Sequence, residues 1–305
     1  MGRFLLARTA RLVLVLWGVL TLSFLLLRLS GDPATLFVSQ GATQAEVEQV
    51  RHQLGFDQPL IVQYGQFLAR LAHGDLDRSL RFDQPAIALV WAALPYTLEL
   101  TFAALAIAML LGIPAGAIAA LRPGSAIDSA ATLVALAGQS MPVFWLGILL
   151  ILFFSVQLKW LPVSGSETPG HLVLPAATLG AFFAARFAQL TRSGLIEVLT
   201  EDYVRTARAK GLHEKTVLIR HALRNVAIAQ VTVAALTFSA MLGGAIVAET
   251  IFAWPGMGRL LLDAVNSRDY PLVQASLFVI ALFVSLATLL ADLTYGVLDP
   301  RVGHR

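Results

Sequence analysis

The chain has 305 residues, 57% of them hydrophobic and 13% charged, with 22 basic and 19 acidic side chains and a net charge of +3. A mean hydropathy of +0.73 excludes an ordinary water-soluble domain, and the absence of cysteine excludes disulfides, thiolate metal sites and a cysteine nucleophile. The pI near 9.5 does not point to nucleic acid, because the basic residues flank apolar runs, where they anchor helices and set orientation.

Uncharged runs occupy residues 12–27, 100–121, 129–158, 168–185, 225–248 and 270–291, with lengths of 16, 22, 30, 18, 24 and 22. A bilayer core of ~30 Å takes about 20 predominantly apolar residues per helix, so the six runs predict six membrane spans. The first run is short and follows Arg3, Arg8 and Arg11, as the apolar part of a secretory signal would. No small-x-small cleavage site comes after it, and Arg28 can snorkel, so we read it as a retained helix ending near Leu29.

Residues 28–99 carry 5 basic and 8 acidic side chains with helical patterns at 45–54 and 60–72, read as a small external subdomain. The second run contains Gly112, Pro114 and Gly116, and the third contains Gly138, Pro142 and Gly147. In lipid such breakers are tolerated only where protein or a water-filled cavity satisfies the freed backbone groups. Small-residue packing explains them as well as a pathway does, and Gly112 and Gly116 form a G-x-x-x-G that permits close helix approach. Ser140 and Pro142 are therefore translocation-path candidates.

Arg186 follows the fourth run, with Gln189 on the same helical face. An ionisable residue inside a span is a functional candidate, although snorkelling toward the headgroups is the plainer account of Arg186. Glu249 and Asp292 sit at run ends and are expected at the membrane interface, Glu249 being kept as a further path candidate.

Residues 192–224 carry 7 basic and 4 acidic side chains and read EDYVRTARAKGL, then HEKTVLIRHALRN, from Glu201. On a helix, Tyr203, Val204 and Ala207 share one face while Arg205, Arg208 and Lys210 lie elsewhere, and Gly211 stops the helix. In a second helix Leu218 and Ala222, like Ile219 and Leu223, are four apart, an apolar stripe opposed by Lys215, Arg220 and Arg224. The hairpin is too polar to span, and its stripes fit either a partner's groove or a lipid surface. With this hairpin and both termini cytoplasmic, 13 Lys and Arg lie inside and 8 outside, so the positive-inside rule supports that topology. The expected fold is an all-α integral membrane protein of six transmembrane helices, divided as 1–29, an external subdomain 30–94, and a core 95–305 with cytoplasmic helices at 193–224 between spans four and five.

No G-x-x-x-x-G-K-[ST] phosphate loop occurs, so energy must come from a partner or a gradient. His213 and Glu214 begin like H-E-x-x-H, but Val217 stands at the second histidine, and no nucleophile has triad-like company. A proton-coupled carrier would need a buried carboxylate or histidine relay, for which the spans offer little material, and an intramembrane enzyme would need a constellation that is missing.

The hairpin resembles the cytoplasmic loop of ABC importer permeases, whose pattern is E-A-A, three residues, G, nine residues, I-x-L-P. Anchored on Gly211, Ala207, Gly211 and Leu223 fit that pattern, while Arg205, Thr206, His221 and Arg224 depart from it. YVRTARAKGL and HALRN are closer to the peptide and nickel branch of the family. The likeness continues in GDPA at 31–34, LGFDQPLIVQY at 54–64, GDLDRS at 74–79, SMPVFW at 140–145, WLPVSG at 160–165, LTRS at 190–193, ETIFAWPGMGRLL at 249–262, RDYPLVQ at 268–274 and LDPR at 298–301.

The resemblance implies a permease half that pairs with a homologous second permease in the cytoplasmic (inner) membrane of a bacterium or archaeon. It implies one or two ATPase subunits, which hold ATP and Mg, docked on Tyr203, Val204, Ala207, Gly211, Leu212, His213, Leu218, Ala222 and Leu223. This chain would have no catalytic, metal or cofactor-binding residue of its own. An external solute-binding protein would meet 28–99 and 254–258. Short peptides are the implied cargo, with nickel complexes, glutathione or another small solute as alternatives.

Overall fold

The computed structural model describes the backbone of residues 2–29, 34, 38, 43–53 and 55–298, with side chains at 8–27, 34, 38, 43–53 and 55–291. Residues 31–33 of GDPA, residues 299–301 of LDPR, Leu54, and the side chains of Arg3, Arg28 and Asp292 lie outside the described residues.

Described residues are helical, without strands, apart from connecting turns. In chain order the helices are α1 (Gly2–Leu29), α2 (Gln44–Gln53), α3 (Leu60–Ala72), α4 (Ala86–Leu121), α5 (Ala126–Ser140) and α6 (Val143–Leu150). They continue with α7 (Gly170–Val198), α8 (Asp202–Ala209), α9 (Glu214–Thr216), α10 (Leu223–Ile251), α11 (Met257–Asn266) and α12 (Tyr270–Leu298). Wider π-helical turns, Ile151–Gln157 and Val217–Ala222, prolong α6 and join α9 to α10. α4 starts well before the uncharged run that announced it, because Glu99 is carried within the helix.

Among the described residues five helices are long and apolar enough to cross a membrane: Arg8–Leu27, Ala86–Leu121, Gly170–Val198, Glu214–Ile251 and Tyr270–Ala291. The 30-residue third run is not one straight span: Ala126–Ser140 and Val143–Gln157 meet at 103°. The cause is local, since Met141 is extended and Pro142, which has no N–H, caps the next helix in the same extended region. The total is six spans if this bent pair counts as one.

The chain divides into two compact units, Met1–Tyr96 with Pro255–Ser285, and Thr97–Trp254 with Leu286–Arg305. In the first, α3 packs on α1 through Phe24, whose ring lies 5.3 Å from Tyr64 and 5.6 Å from Phe67. The hydroxyls of Thr21 and Tyr64 are 2.7 Å apart. Asp269 is fully buried at the start of α12: its carboxylate accepts hydrogen bonds from the Ser79 hydroxyl, the Arg81 N–H at 3.2 Å and the Leu272 N–H at 3.2 Å. One side chain thus caps α12 and fastens the 79–82 turn.

In the second unit α4 and α7 touch backbone to backbone. A Cβ on Gly112 would overlap the carbonyl oxygen of Ala184, and one on Gly116 that of Ala188. Gly180 repeats the arrangement from the other helix, where a Cβ would stand 2.7 Å from the Ala104 carbonyl oxygen. Small residues allow such approach where lipid offers no hydrophobic drive for helix association. The surrounding core includes Leu100, Ala104, Leu179, Phe187, Met241 and Trp254.

Candidate functional site

The hairpin is built from α8, a glycine turn, α9 and the π turn. Gly211 has φ +76°, and its N–H donates to the Arg208 carbonyl at 2.9 Å while Leu212 N–H donates to that of Ala207 at 3.3 Å. These paired bonds satisfy the last carbonyls of α8, and glycine adopts this left-handed backbone without a Cβ penalty. His213 Nδ1 then accepts from the Lys215 N–H at 3.3 Å, capping α9. Across the turn Arg208 clamps Glu214 with two bonds of 3.2 and 2.6 Å.

The second apolar stripe differs from its expected spacing of four. A π turn bonds each amide to the carbonyl five residues back. Accordingly Val217 and Ala222 are fully buried, Leu218 and Leu223 are half-buried, and Ile219 is 54% exposed. Val204 and Ala207 pack on Val217, and Ala222 joins Leu195 and Val226 in a neighbouring cluster. Most of the stripe residues thus pack within the chain. Tyr203, Gly211, Leu212 and His213 are exposed beside Arg205, Arg208 and Lys210, with the Tyr203 hydroxyl accepting from Asn225 Nδ2.

The remaining candidates separate. Arg186, Gln189 and Ser193 of α7 line an open cavity of about 920 Å³ together with Asp128 and Thr132 of α5 and Gly116 of α4. On its wall Arg192 donates to both carboxylate oxygens of Asp128, at 2.6 and 2.7 Å, and the Gly124 N–H adds a bond of 2.9 Å. Asp128 is buried, so this forked, charge-assisted pair keeps an otherwise costly carboxylate satisfied. Arg186 and Gln189 are exposed, and neither side chain has a hydrogen-bond or ion-pair partner among the described residues.

Ser140 and Pro142 are exposed at the α5–α6 bend and do not line this cavity. Glu249, expected at the membrane interface, is instead enclosed by protein with 0% exposure. The Thr97 hydroxyl donates to its Oε1 at 2.6 Å. A charge-bearing residue one helical turn from a loop looks interfacial in a sequence; its burial depends on α4 arriving beside it. Among the described residues no group of three or more His, Asp or Glu could hold a metal ion.

Residues 112–304 match the family of binding-protein-dependent transport system inner membrane components, and residues 1–101 match the N-terminal part of such membrane components. The chain belongs to this permease family. A di/tripeptide transport permease of Pseudomonas aeruginosa is 40% identical over 99% of both chains. An oligopeptide transport permease of Bacillus subtilis is 37% identical and a glutathione transport permease of Escherichia coli 40%, each over 100% of both chains.

Among solved structures the permease shares its fold with an inward-facing methionine ABC transporter, with a TM-score of 0.55 and 22% identity, covering 70% of this chain and 98% of that one. An amino acid ABC transporter gives 0.52 at 17% identity, covering 68% and 93%. Two contacts of this permease were not foreseen. Asp128 and Arg192 are 64 residues apart, and only their opposite charge beside apolar runs hinted at pairing. The bond from Thr97 to Glu249 left no sequence signal, because a threonine within an apolar helix usually bonds its own backbone, as Thr101 does to the Thr97 carbonyl at 2.7 Å.

Proposed function

We propose that this permease forms one half of the pathway of an ATP-driven importer for short peptides, with six spans and both termini in the cytoplasm. The observation that carries this reading is that relatives matching its whole length at 37–40% identity are named for di/tripeptides, oligopeptides and glutathione, itself a tripeptide. The charge asymmetry of the loops supports the orientation. The remaining assembly is a homologous permease, one or two ATPase subunits holding ATP and Mg, and an external solute-binding protein, in the inner membrane of a bacterium or archaeon.

In this reading the 193–224 segment couples ATP hydrolysis to transport. Val204, Ala207, Leu218, Ala222 and Leu223 hold the hairpin together and onto α7 and α10, supported by their burial. Contact with the ATPase falls to the exposed Tyr203, Leu212 and His213 and to the basic rim at Arg205 and Lys210. Gly211 sets the angle between the two arms. Partner binding through such a compact helical surface needs few anchors.

The test is mild-detergent purification through a tag on this chain, with mass spectrometry of the co-eluting subunits, followed by peptide uptake in proteoliposomes. A second permease, one or two ATPases and uptake that requires ATP are expected. Recovery of this chain alone, active without ATP, would replace the reading with a gradient-driven carrier.

A further inference from the structure

α7 is 29 residues long, about 43 Å at 1.5 Å per residue, against a hydrocarbon core of ~30 Å. Arg186 stands 12 residues before its last residue, Val198, so its Cα lies about 18 Å from the hairpin end of the helix. Centring the helix on the core, with the overhang shared equally, would put its Cα ~12 Å inside, deeper than an arginine side chain spans by snorkelling. An exposed guanidinium at that depth needs water or an anion. The fold leaves room for either, because Arg186, Gln189 and Ser193 form one polar stripe at spacings of three and four, all lining the 920 Å³ cavity.

Charge supply on that wall is uneven. Arg192 has a carboxylate from its own chain, Asp128, whereas Arg186 has none among the described residues and stands next to an amide, Gln189, that is equally unengaged. A planar fork of donors beside a carboxamide suits a carboxylate geometrically, and the cavity is far larger than one headgroup requires. We propose that Arg186, with Gln189 beside it, is a carboxylate-recognising position on the permease wall that takes the C-terminal carboxylate of a short peptide in transit. This rests on the peptide-importer reading above and adds where the chain reads its cargo.

The test uses the whole complex in membrane vesicles, with phenylglyoxal modification of Arg186 followed by mass spectrometry. The probes are tri-alanine, its C-terminal amide, and glycerol 3-phosphate as a stand-in for lipid phosphate. Tri-alanine is expected to slow modification about fivefold, and the amide to have little effect, in keeping with a charge-assisted contact. Equal protection by the amide, no protection by tri-alanine, or an Arg186 that never reacts would each overturn the proposal. Equal protection by glycerol 3-phosphate would reassign the site to lipid phosphate.

In assembled complexes R186Q is expected to lower tri-alanine uptake about tenfold and R186K only two- to threefold, since lysine keeps the charge without the fork. Uptake unchanged in R186Q would also sink the proposal. A wild-type complex that accumulates no peptide would instead sink the peptide reading, so the two failures are distinct.

Discussion

At Gly116 the missing side chain is what lets two helices meet, because a Cβ there would overlap the Ala188 carbonyl oxygen and crowd Thr191. Overlap with backbone cannot be relieved by a rotamer change, so G116L is expected to push α4 off α7 and cost roughly 2–3 kcal/mol, read as a lower melting temperature in detergent. Gly211 has open space around its Cβ position, and its requirement is conformational only. Asp269 is the converse case, a side chain whose three acceptor contacts lie inside the protein. D269A strands the Leu272 and Arg81 amides, and a loss of about 2–3 kcal/mol is expected, with D269N retaining part of the cap. Melting curves of the two variants that coincide with the wild type would show that the turn at 79–82 is held by other contacts.

At the scale of elements, the glycine-stopped first arm was legible from sequence, since Gly211 follows an amphipathic turn and only glycine enters this backbone freely. The second arm was not, because periodicity assumes 3.6 residues per turn and a π turn has no compositional signature. That single irregularity buries Val217 and leaves Ile219, expected on the stripe, exposed. The bend at Ser140–Pro142 falls at a breaker that the sequence does show, Pro142, while hydropathy alone reads the run as one straight span. The hairpin makes a graded prediction. Replacing Gly211 by Asn should be tolerated best, Ala less well, and Val should cost about 1–2 kcal/mol of local stability, because φ of +76° is hardest for a β-branched residue. ATP-dependent uptake is expected to fall in that order while the amount of membrane-inserted chain stays constant. A valine variant with full uptake would remove the hairpin angle from the coupling mechanism.

For the molecule as a whole, the path of the bent pair sets the topology. If Ala126–Ser140 and Val143–Gln157 together cross the bilayer, the chain has six spans and its termini share a side; if they dip in and return, it has five and they do not. Loop charges favour the first arrangement, with 13 Lys and Arg on the cytoplasmic side against 8 outside. A pair of helices at 103° can still cross, and although Ser140 and Pro142 at the bend are exposed, Gly147, five residues past Pro142, packs against Phe252 and Thr178. The natural absence of cysteine makes the test clean. Single substitutions G124C and K159C flank the pair, and K210C marks the hairpin. With a membrane-impermeant maleimide on intact cells, K159C is expected to label while G124C and K210C label only in inverted vesicles. Labelling of G124C and K159C from one face would make the pair a re-entrant loop and place the N-terminus opposite the hairpin's expected partner, a geometry in which the positive-inside count for residues 1–11 would have failed.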